Sequence, residues 1–153
     1  MSRKQKNGMT MVELLMVVAI IGLLSVALVP FSMKAFEYKE NSEVAHKLRT
    51  AIQAFELYRS EVGSYPGDVA RGVTPAGMVE FFDYFDIDWW AETTEIGGKF
   101  DWEYHDGVYS ISIPDLTIDQ DQLEELDKMI DDGSLTNGSF RAGGDRYHYI
   151  LEK

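Results

Sequence analysis

Twenty consecutive residues, Leu14 to Met33, carry no formal charge. As a helix rising ~1.5 Å per residue, such a run covers the roughly 30 Å of a bilayer core. The rest of the 153-residue chain has to be arranged around a segment that is poorly accepted by water. On its N-terminal side stand Arg3, Lys4 and Lys6, with no acidic residue before Glu13. A short, purely basic flank favours the cytoplasm, so the far side of the span is expected in the periplasm or at the cell exterior.

Glu13 does not suit a generic anchor. A carboxylate deep in a bilayer costs on the order of 2–3 kcal/mol, and such groups usually have a partner. Cleavage after Gly8 would create a free amine at Met9, four residues from Glu13. An ammonium and a carboxylate can pair within one chain or between neighbours, offsetting the desolvation cost in a packed core. Plainer readings are a carboxylate snorkelling to the headgroups, a single-span anchor, and a secretory signal peptide cut near Ser25-Val26-Ala27. Glu13 at the head of the apolar run, and the length of that run, speak against the signal peptide.

Gly8-Met9-Thr10-Met11-Val12-Glu13, with basic residues before it and the apolar run behind it, resembles the class III signal of type IV pilins and type II secretion pseudopilins. The resemblance implies cleavage between Gly8 and Met9 by a prepilin peptidase and N-methylation of Met9. It places Glu13 at the fifth mature position as the subunit-assembly residue, and Pro30 where many members bend the helix. The first mature residue is Met where the family usually has Phe. The implied division is a leader over 1–8, a transmembrane and filament-core half-helix over 9–33, and a periplasmic globular domain over 34–153. The implied role is a structural subunit, not an enzyme, in a secretion pseudopilus or a pilus. The implied partners are other pilin or pseudopilin subunits, in a homo- or hetero-polymer, the peptidase, and an inner-membrane assembly platform with its cytoplasmic ATPase.

Charge and composition narrow the alternatives. The chain is formally −12, and loss of Arg3, Lys4 and Lys6 would take it to −15. That balance argues against nucleic acid as a partner and against lying on anionic lipid. With no Cys, neither a disulfide nor thiolate chemistry is available. Eight Phe, eight Tyr and three Trp mark a folded domain, not an acidic disordered tail.

Beyond Met33 the pattern turns amphipathic. Val44, Leu48, Ala51, Ile52, Phe55, Tyr58 and Val62 follow a 3.6-residue period, with Glu43, Lys47, Arg49, Glu56 and Arg59 on the other side. The simplest account is one helix from about Met9 to about Ser60, a rod of roughly 75–80 Å, with a kink or local melting expected at Pro30. Gly63-Ser64-Tyr65-Pro66-Gly67 ends it, and a Gly-x-Tyr-Pro at this place resembles the major pseudopilins. Thr74-Pro75 reads as the start of a short helix to about Phe85. Phe100, Trp102 and Tyr104 alternate as a strand, His105-Asp106-Gly107 turns, and Val108 to Ile113 returns. Asp119 to Asp132 reads as a helix with Asp119 and Gln122 as a capping box and Gly133 closing it. Arg146 to Leu151 alternates as a last strand. The expected fold is α+β and pilin-like: a long helix whose amphipathic half packs on about three antiparallel strands, plus short helices.

Few residues point to a chemical site. Trp89, Trp90 and Trp102 are the candidates for a second reading, an inner-membrane-anchored periplasmic module that binds a glycan or a protein; core packing is the blander role for adjacent tryptophans. Asp101 and Glu103 flank aromatics as sugar-cleaving carboxylates do, but strand alternation puts them on a solvated face. His46, His105 and His148 lack metal-like spacing. Asp119 and Asp121 fail the EF-hand pattern. No cofactor is expected beyond structural calcium, which some major pseudopilins hold in a C-terminal loop; Asp131, Asp132 and Asp145 are the candidate ligands.

Overall fold

A computed structural model describes residues 9–152, with the side chain of Glu152 left aside. Gly8, Arg3, Lys4 and Lys6 lie outside the described residues. The chain divides into two compact units between Phe36 and Glu37. Helix α1, Met11–Val62, runs across that boundary and contains Pro30.

In the first unit every described residue is exposed. The apolar run therefore has no covering within its own unit, although it is long and apolar enough to cross a membrane. Hydroxyls in this stretch are satisfied locally. Ser25 Oγ donates to the Ile21 carbonyl at 2.8 Å and Ser32 Oγ to the Val29 carbonyl at 2.9 Å. Such back-bonding spares a membrane helix an unpaired polar group.

The second unit is built on the amphipathic part of α1. Asn41, Val44, Ala45, Leu48, Ala51, Ala54 and Phe55 are buried, the stripe that the 3.6 period predicts. The unit continues with α2 (Val79–Tyr84), a 3₁₀ turn (Trp89–Ala91), β1 (Asp101–His105), β2 (Val108–Pro114), α3 (Gln120–Ile130), β3 (Phe140–Gly143) and β4 (Arg146–Glu152). The sheet has four strands in the order β1-β2-β4-β3, each antiparallel to its neighbour. Trp102, Ile111, Tyr149 and Phe140 stand opposite one another across the four strands. Trp102, Ile111 and Phe140 are buried, and Trp102 stacks on Phe55 with ring centroids 3.9 Å apart. That contact joins sheet to helix, and an aromatic pair adds about 0.5–1.5 kcal/mol beyond the area it buries.

Three local expectations are corrected. A fourth strand, β3, replaces part of what reads as a Gly-rich loop. It is only four residues long, and it pairs with β4 through a two-residue turn whose first residue, Gly144, has φ +70°. The short helix starts at Val79 and not at Thr74-Pro75, because Gly77, at φ +86°, sits in a turn against the Tyr58 ring before helical geometry begins. Asp119 caps α3 by accepting from the Gln122 N–H at 2.9 Å, but the Gln122 side chain does not close the box. It reaches Asn41 Oδ1 at 3.3 Å instead, while Asn41 Nδ2 donates to the Gln122 carbonyl at 2.9 Å, so α3 is fastened to α1. The hairpin follows the sequence: Asp106 and Gly107 have φ of 50° and 85°, as a type I′ turn requires.

Candidate functional site at the start of the apolar helix

The residues that begin α1 are fixed by hydrogen bonds among themselves. Glu13 Oε2 accepts from the Thr10 N–H at 2.7 Å and from the Thr10 hydroxyl at 2.9 Å. The Glu13 N–H in turn donates to Thr10 Oγ1 at 3.3 Å. This is a capping box, in which threonine and glutamate three residues apart satisfy each other's orphan donors at a helix N-terminus. A carboxylate there also faces the positive end of the helix dipole.

Thr10 is thus the partner of Glu13 that reasoning from charges alone overlooks. The signal was in the sequence, since Thr-x-x-Glu before an apolar run is a capping signature. The Met9 amine, the partner expected after processing, is still a peptide nitrogen in the unprocessed chain. None of the three bonds uses Glu13 Oε1. One carboxylate oxygen is therefore committed to the helix start, and the other is available to a second donor. Met9 is exposed.

The comparisons bear on this same stretch. A family model described as the prokaryotic N-terminal methylation motif matches residues 3–29. The match upholds the likeness to type IV pilins and pseudopilins carried by Gly8 to Glu13 and the run behind it. No curated protein and no solved structure matches the chain.

Elsewhere the structure rearranges the candidates. The tryptophan platform is dismantled: Trp90 and Trp102 are 2% and 0% exposed, and their indole N–H groups donate to the Val73 and Pro66 carbonyls, each at 3.1 Å. Trp89 is half-buried, with Lys47 Nζ 5.8 Å from its ring centre.

Asp101 and Glu103 face away from the aromatic side of β1, as alternation predicts, but that face is not freely solvated. Asp101 is only 7% exposed. Arg146, from β4, lies 3.5 Å from its carboxylate and also bonds Glu103 and Asp145. His148 is half-buried, with Nδ1 3.4 Å from Glu103 Oε2. Burial above all, with the charge of Glu103 and against that of Arg146, pushes the Asp101 pKa up to about 6; Arg71 and Asp68 act from farther off.

The folded state therefore holds the Asp101 proton more tightly than the unfolded chain, whose value is near 3.8. The folded state gains stability as pH falls through about 6 toward 4, and above that window it carries the full cost of a buried charge. We expect Asp101→Asn to be at least as stable as the natural chain at neutral pH, by up to on the order of 1 kcal/mol, because Arg146 keeps Glu103 and Asp145. Melting curves of both proteins across that window should converge on acidification. Parallel curves would show that Asp101 titrates as an ordinary carboxylate.

Of the three candidate calcium ligands, Asp131 and Asp132 come together and are joined by Asp127 from α3. Asp145 lies instead against Arg146 Nε at 3.2 Å.

Proposed function

We propose that this chain is a structural subunit of a pilus-like filament, either a type II secretion pseudopilus or a type IV pilus. A prepilin peptidase removes residues 1–8 by cutting between Gly8 and Met9, and the new Met9 amine is methylated. Before assembly residues 9–33 hold the protein in the inner membrane as a single span, N-terminus cytoplasmic, with residues 34–153 periplasmic. Assembly moves the span from lipid into a core of like helices, with the platform and its ATPase supplying the drive. The observation that carries the reading is the methylation-motif match over residues 3–29, which combines processing signal and apolar helix in one segment.

Three features fit the chemistry of such a subunit. The apolar surface of residues 9–36 is uncovered within its own unit, so lipid or other subunits would cover it. A Cβ placed on Gly22 would meet nothing within 4 Å, so the glycine leaves room for close helix approach. Pro30 removes one backbone donor in mid-helix, a place for the helix to bend or loosen on packing. The glycan-binding reading loses its support because two of the three rings it needs are buried and the third, Trp89, is half-buried. The work of the protein is then mechanical, not catalytic.

The test is the N-terminus of membrane-extracted protein, read by mass spectrometry. A chain beginning with methylated Met9 is the expected result, and Gly8→Val is expected to retain residues 1–8. An intact Met1 in the natural chain would mean a simple anchor. A start after Ala27 would mean a secreted domain and no filament.

A further inference from the structure

On the face of the sheet away from the aromatic row, one side chain reaches every strand. His148, in β4, sets Nε2 3.2 Å from the Gly143 carbonyl of β3. Its Nδ1 lies 3.4 Å from the Ser110 hydroxyl of β2 and 3.4 Å from Glu103 Oε2 of β1. A carbonyl only accepts, so in the neutral ring Nε2 carries the hydrogen and Nδ1 keeps its lone pair. The Ser110 hydroxyl can donate to that lone pair. The Glu103 carboxylate cannot, and it meets the lone pair with a negative charge. The neutral ring therefore suits β2 and β3 and opposes β1.

We propose that His148 is a proton-driven clamp: when its ring gains a second proton, Nδ1–H donates to Glu103 and one side chain fastens β1, β2, β3 and β4 together. In the imidazolium both ring nitrogens are donors, Nε2 to Gly143 and Nδ1 to Glu103, and the Ser110 hydroxyl is free to rotate and accept. Histidine is the side chain that ordinarily makes this change between about pH 5 and pH 8. The clamp's contribution to stability is present in acid and is lost as pH rises and the ring gives up its proton. The sheet, including the last strand of the chain, is thereby made to tighten in acidic surroundings.

The charges around the ring leave a place for a cation. Asp101 and Glu103 come from β1, and Asp145 from the turn before β4. Against them stand Arg146, earlier in β4, and Arg141, the register partner of His148 in β3. Arg146 holds Glu103 Oε1, lies 3.5 Å from Asp101 and takes Asp145 through Nε. Strand β2 brings only neutral groups, Ser110 and Ser112. From the segment after α1, Asp68 and Arg71 act on Asp101 from farther off, and Arg71 pairs with Asp115. Three carboxylates thus face two guanidiniums, and Glu103 Oε2 is the oxygen turned toward the ring. The His148 and Glu103 side chains are 21% and 19% exposed, so water and salt screen the pair less than one at the surface. The clamp does not depend on processing or assembly, and it stands or falls apart from the filament reading.

The experiment uses the full chain in detergent micelles, as the natural protein, His148→Gln, Glu103→Gln and the double variant. Each is unfolded with urea at about pH 8 and at about pH 5, the two ends of the histidine range, with tryptophan fluorescence as the signal. Asp101 titrates in all four proteins, so the cycle isolates the pair. His148 and Glu103 are expected to couple favourably at the lower pH, by about two- to fivefold in the unfolding equilibrium constant, and not at the higher. Nitrogen-15 labelling of the three histidines gives a second readout, in which the neutral His148 ring should carry its hydrogen on Nε2. Equal coupling at both pH values, or none at the lower, would overturn the proposal. So would a hydrogen on Nδ1 in the neutral ring, and that outcome is read from the natural chain alone should a variant fail to fold.

Discussion

For the filament subunit proposed above, Glu13→Ala is expected to leave cleavage after Gly8 intact and to lower the assembled fraction by at least roughly tenfold, because it would remove the ionic contact proposed for a low-dielectric helix core. The reasoning starts from the two oxygens of one carboxylate. Oε2 is held by the Thr10 amide and hydroxyl, which fixes the side chain at the start of α1. Among the described residues Oε1 takes no part in those bonds, and in the proposed filament it would face the methylated amine of an adjacent subunit. A pair made across the subunit boundary would set the axial register of one helix against the next. Without the carboxylate, the helices still have an apolar surface in common but no fixed register. Thr10→Ala should show a weaker version of the defect, since Glu13 would remain but lose its restraint. Thr10→Ser, which keeps the hydroxyl, should assemble nearly as the natural chain does. Immunoblots of sheared filament against the membrane pool measure the effect. Assembly of Glu13→Ala at the natural level would remove Glu13 from the mechanism.

The second large effect lies in the globular unit, at Gly98. Its φ is +69°, and a Cβ there would sit 1.9 Å from the Pro114 carbonyl oxygen. That oxygen is backbone at the end of β2, so it cannot swing aside as a flexible side chain would. The same segment is tied down nearby: Thr94 N–H donates to the Gly98 carbonyl at 2.9 Å, and Gly97 bridges Leu116. Gly98→Ala therefore combines a left-handed backbone with overpacking against main chain, and roughly 3–5 kcal/mol of destabilisation is expected. Gly107→Ala is the internal comparison. Gly107 also has a positive φ, +85°, but nothing lies within 4 Å of its would-be Cβ. Its cost should stay near about 1 kcal/mol. Urea titrations of the two variants separate strain from clash; equal losses would mean that the Pro114 contact yields.

The long helix was legible because its signals are local. The apolar run, the 3.6 period and the closing Gly63 placed it at about Met9 to Ser60, and it occupies Met11–Val62. The Asp-Gly hairpin and α3 could be read for the same reason. Strand β3 was not, because only Phe140 of its four residues is a strong strand former, and what makes it a strand is pairing with β4. Alternation showed which face Asp101 occupies but not whether that face is wet. Its burial depends on Arg146, 45 positions later, which no period along β1 can reveal. At the helix start the motif was plain, while the bond between Thr10 and Glu13 was hidden behind the expectation of an ionic partner. The pair of Asp131 and Asp132 could be seen in the sequence. Nothing in the apolar stripe of α3 singles out Asp127, and only the fold shows it buried.

Strand β4 occupies an interior place in the sheet, between β2 and β3, although it comes from residues 146–152. With the topology proposed above, the globular unit would pass the membrane in chain order, and that strand would arrive after everything it must join. Until then β2 has one open edge, β3 has no neighbour at all, and Tyr149 is missing from the row that includes Trp102. Exposed strand edges and uncovered aromatic surface invite wrong pairing between molecules. Crowded at the exit face of the membrane, half-delivered copies would be at greatest risk from one another, and the delay between emergence of β2 and arrival of β4 sets how long that risk lasts.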